Sequence, residues 1–459
     1  MSVSKDARWL ASALVAGAAW FGAISNADAI PVFARQTGHN CQACHISYPE
    51  LTAYGREFKL NGYTFGVAQP VPFAIATMQG ITSVSNNNLN LPGGGTTQIN
   101  DPNSKFEIMQ SSIFSGGRVT DNLGAFVQWT WSGLGAGGTH SGIDNTEVRL
   151  VGRYTPEGQL APELVYGLNI NNNMTMEDVW MSVPAWRFPW WGVGVPGGRT
   201  GPPAPLASAT FEGLGQRAVG IGAYAWWRKT IYAQFSMYRK ADGTLSFLRA
   251  GDSPTVAGDA LDGYNPYARV AYSYDWGYNS VEVGALYTHI KQHWDPAVSA
   301  SNTYNDFMID SQYQYNKGEP WVFAGNMSYI HESASYDPLY VGTGTSVSNS
   351  SNTLKEFFLR GTAYYNRMYG LTVGYTNITG SSDAIAYGFN PGSTVVSSPE
   401  GSPASSYWVL EANYLPLQNM RFTVQYWMYS KLNGVTGTDS LGNKVGDNNT
   451  LFAGIWWAF

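Results

Sequence analysis

Charge is scarce in this chain of 459 residues: Asp, Glu, Lys and Arg make up 13% of it, about half the roughly 25% of an ordinary soluble protein. The balance of −6 argues against nucleic acid as a partner. Long apolar runs are also missing. After Ala29 no stretch of 18 apolar residues remains, which excludes bilayer-spanning helices and leaves either a soluble protein or a transmembrane β-barrel. Cysteine is nearly absent, with two copies at positions 41 and 44. A disulfide between them would close too small a loop to stabilise much. What is plentiful is aromatic residues, at 14%, and glycine, with 52 copies. That mixture reads as many strands joined by polar loops.

The first 29 residues read as a targeting segment. Lys5 and Arg8 form a positive start, WLASALVAGAAWFGAI (9 to 24) an apolar stretch, and ADA (27 to 29) a small-residue cleavage site. A membrane anchor is the competing reading, but the apolar stretch is shorter than the ~20 residues a spanning helix needs. Cleavage after Ala29 is therefore expected, with residues 1–29 removed and the mature chain exported.

Cys41, Cys44 and His45 spell C-x-x-C-H, the pattern of c-type haem attachment. Two thiols three residues apart lie on one turn and can form thioethers to both vinyl groups of a porphyrin. The adjacent histidine rises from the same turn to ligate the iron. Zinc would need a second Cys/His pair, and none is near. A thioredoxin-like motif would need a βαβ unit, and none is visible. One covalently bound haem c is therefore expected, with His45 as proximal ligand. The segment that follows reads as a short helix with Pro49 in its first turn. Leu51, Tyr54, Phe58 and Leu60 form its apolar stripe, and Asn61-Gly62 its stop. Arg35, Arg56 and Lys59 are candidates to neutralise haem propionates, or solvated surface charges. Residues 30–70 are too few to enclose a haem alone.

From residue 73 onward, windows alternate apolar and polar residues as transmembrane strands do. In IYAQFSMYR, Ile231, Ala233, Phe235 and Met237 oppose Tyr232, Gln234, Ser236 and Tyr238. In EFFLRGTAYY, Phe357, Leu359, Ala363 and Tyr365 oppose Glu356, Arg360, Thr362 and Tyr364. About sixteen such windows follow, near 73–85, 105–118, 122–133, 144–155, 162–172, 215–228, 229–240, 265–276, 279–292, 304–316, 319–333, 355–366, 369–380, 405–416, 419–432 and 448–459. Short turns alternate with long Gly/Ser/Asn loops, among them 173–214, which are expected to face outside. The outer-membrane barrel pattern places both termini in the periplasm. Phe459 ends an aromatic strand, as barrel assembly signals do. The run at 186–207 fits either a loop folded into the mouth or an idle surface loop. The expected fold is all-β: an outer-membrane antiparallel barrel over 71–459 in contact with lipid, its lumen plugged by a small helical haem segment over 30–70.

In the first strand, Ala74, Ala76, Met78 and Gly80 share one face. Turned inward, they leave room for the plug and aim Met78 at the lumen. Met78 is the first candidate for the distal iron ligand, since His/Met ligation raises the reduction potential. Packing is the ordinary role of such a methionine, and a vacant or water-filled sixth position stays open.

The run PVFARQTGHNCQACHISYPELTAYGREFKLNGYTF (31 to 65), ahead of this barrel, resembles the outer-membrane monohaem cytochrome–porin fusions of iron-oxidising bacteria. FARQTG, C-x-x-C-H, P-x-L and GR-x-FK…GY match that pattern together, while the barrel matches by architecture. The resemblance implies an iron-oxidising outer-membrane cytochrome c, an oxidoreductase taking electrons from extracellular Fe(II). A periplasmic cytochrome c or cupredoxin would receive them. It carries haem attachment to Cys41 and Cys44 and proximal ligation to His45, and it does not specify the distal ligand. Electron transfer with another donor, or outward, and a solute-conducting porin with a structural haem are the alternative readings.

Overall fold

Along every long strand one row of side chains is turned outward and apolar, the other inward and mostly polar. The computed structural model describes residues 31–91, 94–98, 106–132, 140–184, 217–249, 260–293, 300–342, 347–388, 398 and 401–459; the leader and the 186–207 run lie outside the described residues. Sixteen long strands form the wall: β1 Phe73–Val84, β2 Phe106–Arg118, β3 Leu123–Ser132, β4 His140–Tyr154, β5 Leu164–Asn171, β6 Ala218–Trp227, β7 Ile231–Lys240, β8 Asn265–Trp276, β9 Asn279–His293, β10 Asn302–Asn316, β11 Trp321–Ser335, β12 Ser351–Tyr365, β13 Tyr369–Gly380, β14 Ser405–Leu417, β15 Met420–Lys431 and β16 Thr450–Ala458. Each pairs antiparallel with the next, and β16 returns to β1, closing a barrel. Phe459 seals the join, exchanging backbone hydrogen bonds of 2.7 and 2.8 Å with Ile75. Closure leaves no open sheet edge, which a strand wall in lipid requires.

Burial follows the alternation read from the sequence. Ile231, Phe235 and Met237 are exposed, while Tyr232, Gln234, Ser236 and Tyr238 are buried inside. Leu359 and Tyr365 point out; Glu356, Arg360, Thr362 and Tyr364 point in. The exposed rows form a band of large apolar side chains, and near the short turns stand Trp227, Trp276, Trp321, Tyr365, Tyr369 and Tyr414. An apolar belt with an aromatic girdle is the exterior of an outer-membrane barrel. Short connections such as 228–230 and 366–368 lie at one end, together with both ends of the described chain; long ones lie at the other.

Residues 31–67 fill the lumen at the short-turn end. Helix α1, Val32–Thr37, stops at Gly38, whose φ of 71° is the left-handed cap that glycine adopts freely. Helix α2 is Cys41–Cys44, opened by Asn40, whose side chain accepts from the Ala43 amide. A ribbon of His45–Ser47 against Glu50–Leu51 comes next, and helix α3 spans Ala53–Leu60. The expected helix start at Pro49 is thus corrected. Proline disfavours helical backbone at the residue before it, here Tyr48, while Thr52 supplies a hydroxyl that caps the Gly55 amide. Leu51 therefore lies outside the helix. Phe33 joins the helices, with ring centroids 5.1 Å from Phe58 and 5.4 Å from Tyr63.

The second correction concerns 173–214. Its described part does not face outside: Met174–Glu177 forms a 3-10 turn, and every residue from Met174 to Val183 is buried inside the barrel. Glu177 accepts hydrogen bonds from Asn169, Asn171, Ser236 and Tyr238 of the wall, which draw the loop inward.

Candidate functional site

Thr52 builds the site locally. Its amide donates to the Cys44 carbonyl at 2.9 Å and its hydroxyl to the Ala43 carbonyl at 2.6 Å, so α3 and the cysteine turn form one unit. Gly55 lets them meet: a Cβ there would lie 2.3 Å from the Cys44 carbonyl oxygen. Backbone cannot yield as a flexible side chain does. Gly55→Ala is expected to destabilise the plug by about 1–3 kcal/mol and to lower the ratio of bound haem to protein measured after purification.

Cys41, Cys44 and His45 open into one cavity of about 220 Å³. Its walls are largely apolar: Phe33, Phe58 and Tyr63 from the plug, Phe126 from β3, and Thr175, Met176 and Met181 from the inward loop. A second cavity of about 390 Å³ adjoins it, sharing Phe33, His45, Tyr48 and Phe126, and runs along β1 to β4 past Ala74, Ala76, Met78, Gln128 and Asp144. The His45 Nδ1 lies 3.2 Å from the Pro49 carbonyl, an arrangement that sets the tautomer with Nε2 as the ligating nitrogen. Burial pushes the His45 imidazole down to about 4, so it is neutral as an iron ligand must be. Tyr48 packs between His45 at 5.3 Å and Trp456 of β16 at 5.2 Å, and its hydroxyl donates to the Gln418 carbonyl.

The donor set fits a haem c: two thiols on one turn, the next residue's imidazole, and a half-open, largely apolar space bordering all three. Both cysteines are free of disulfide. Among the described residues no three His, Cys, Asp or Glu side chains are grouped to hold a metal ion directly. Burial raises the Cys41 thiol and, with the neighbouring Cys41, pushes Cys44 up to about 11. With both thiols free, Cys44 is thus expected to alkylate on the order of 100-fold more slowly than an exposed thiol at about pH 8.5, because the thiolate is the reacting form. Peptide mass mapping of haem-free protein checks this.

Of the three propionate candidates, Lys59 alone lines the cavity. Its Nζ donates to the Met176 carbonyl at 2.6 Å and lies 3.6 Å from Glu147. Arg56 is buried and faces the wall instead, bonding Ser280 at 2.7 Å, Gln312 at 3.0 Å and Gln314 at 3.1 Å. Arg35 holds the carbonyls of Val71 and Phe73 where the plug leads into β1. These two anchor the plug because their guanidinium forks reach neutral acceptors that flank the plug. Met78 lies inside, as its face requires, yet it packs on Phe452, Met109 and Trp456 and borders only the adjoining cavity. His289, His293 and His331 stand on the outward row of β9 and β11, away from the cavity, and the His140 side chain lies outside the described residues.

Sequence reasoning missed Thr175, Met176, Asp178, Met181, Phe126 and Tyr48 as lining residues. The break in alternation at MTMEDVW (174 to 180) was the available signal.

No family model matches the chain, and no curated protein matches it. Among solved structures, it is similar to OmpT of Vibrio cholerae lacking loop L8, at 9% identity and TM-score 0.46, over 84% of this chain and 98% of that one. It is also similar to OmpF of Salmonella typhi, at 10% identity and TM-score 0.44, over 84% and 97%. An anion-selective porin from Comamonas acidovorans gives 11% and 0.44, over 84% and 98%.

Proposed function

We propose that this chain is an outer-membrane cytochrome in which a porin-like barrel encloses one covalently bound haem c. It would accept electrons from extracellular Fe(II) and pass them to a periplasmic cytochrome c or cupredoxin. The observation that carries this reading is the shared cavity of Cys41, Cys44 and His45 between the plug, β3 and the inward loop. Cys41 and Cys44 would hold the haem by thioethers, and His45 would bind its iron from the turn that Thr52 braces. When bound, that haem supplies one-electron chemistry. The chain's own residues contribute position and enclosure: Lys59 sets a positive charge at the cavity, and Phe33, Phe58, Phe126 and Met176 keep water back. The short-turn end, where the plug sits, is the periplasmic end in barrels of this kind. The Tyr48–Trp456 contact lies on that side.

Stopped-flow mixing of the oxidised protein with Fe(II) tests the donor. Reduction of the haem is expected; a haem reduced by dithionite but never by Fe(II), across the relevant pH range, would leave an electron carrier with another donor. Planar-bilayer recordings test the porin alternative. With plug and loop in the lumen, conductance is expected to fall far below that of an open sixteen-strand porin.

A further inference from the structure

We propose that Met181, on the inward loop, is the distal ligand of the haem iron, drawn from the same cavity that His45 lines. This rests on the haem reading above. Three observations single out Met181 from the other methionines near the site.

The first is backbone conformation. Met181 has φ of +57°, the left-handed region that unbranched non-glycine residues rarely occupy. A residue held there is over-determined by its surroundings, and such positions concentrate at functional sites.

The second is the brace that holds it. The Asp178 carboxylate accepts from the Trp180 amide at 3.1 Å, the Ser182 amide at 2.6 Å, the Ser182 hydroxyl at 2.9 Å and the Val183 amide at 2.9 Å. Those donors flank Met181 on both sides. Asp178 is itself fixed 3.5 Å from Arg269, which Glu282 and Asp310 hold at 3.0 and 2.8 Å. Arg269 also lies over the Trp180 ring at 5.3 Å, and Gln312 bonds the Trp180 carbonyl at 3.0 Å. Three wall strands, β8, β9 and β10, thus fix the turn. Nothing in that brace uses the Met181 side chain, which is left to the cavity.

The third is location. Met181 is 7% exposed and lines the same cavity as both cysteines and His45. Met78 borders instead the adjoining cavity, which His45 but neither cysteine lines, and its side chain packs on Phe452 and Trp456 in the wall. Met176 does border it, but it sits in the 3-10 turn, where its carbonyl serves Lys59. Asp178 is a positioning residue here, acting on the iron only through Met181.

The test compares wild type with M181L, M176L and M78L, each purified as holoprotein. Mass spectrometry first establishes covalent haem in the wild type. Haem absent there would overturn the cytochrome reading and this inference with it. With haem present, ferric wild type is expected to show the near-infrared charge-transfer band of methionine on iron. M181L should lose that band and shift its midpoint potential downward, while M176L keeps the band and M78L keeps both. D178A should weaken the band by loosening the turn. M181H gives a second reading should M181L fold poorly: it is expected to produce a low-spin bis-histidine spectrum at lower potential. The band retained in M181L, lost in M176L or M78L instead, or missing from haem-loaded wild type would overturn the assignment and leave the haem in place. So would an M181H spectrum unchanged from wild type.

Discussion

Replacing Cys41 and Cys44 together by serine is expected to abolish covalent haem, while the barrel still inserts and closes. The two thiols are the chain's only cysteines, and thioether formation has no other site to use. The wall does not depend on them. Its strands pair in sequence from β1 to β16 and back to β1, and among the described residues none of 41–45 belongs to that ladder. Haem staining after denaturing electrophoresis should show complete loss in the double variant. Heat-modifiable mobility should show a folded barrel. A variant that still carries haem after denaturation would contradict the attachment chemistry. Either cysteine alone replaced should leave one thioether and a shifted absorption maximum.

The second large effect is expected at Glu50. This plug carboxylate takes both guanidinium nitrogens of Arg360 on β12, at 2.8 and 3.0 Å, and the two side chains are only 2% and 1% exposed. Glu50→Ala removes the carboxylate that balances a charge buried against the wall, at a cost of about 3–5 kcal/mol. The plug should then loosen before the barrel does. Urea titration followed by haem absorbance would show an earlier midpoint than titration followed by barrel mobility. Replacing both partners by methionine should cost less than Glu50→Ala alone, because a well-packed apolar pair avoids the stranded charge. If the single and double variants cost the same, the pair does not anchor the plug.

The wall was legible in the sequence because a strand facing lipid on one side and a polar lumen on the other must alternate. Ile231 to Tyr238 carry that alternation without interruption, and Phe357 to Tyr364 carry it with Phe358 as the one apolar residue turned inward. Cysteine spacing made it legible that Cys41 and Cys44 share one turn, because that relation is local. What escaped was non-local. Pro49 looked like a helix start until Thr52 was seen to hold the Cys44 and Ala43 carbonyls. Arg35 and Arg56 looked equivalent to Lys59, and only the packed structure separates anchors from a cavity residue. The inward fold of 174–183 depends on Glu177 and Asp178 meeting Asn169, Ser236 and Arg269, partners spread over several strands. No period in the sequence encodes that meeting.

The claim that most needs testing is electron passage through an enclosed haem. Proteoliposomes carrying the purified protein, loaded with an oxidised cytochrome c and given Fe(II) only outside, measure it directly. The expected result is reduction of the entrapped cytochrome with the haem-loaded barrel and none with the C41S/C44S barrel. Equal reduction by both would mean that iron leaks through the lumen and that the haem carries no current. No reduction by either, with haem present and protein inserted in both orientations, would contradict passage across the barrel altogether.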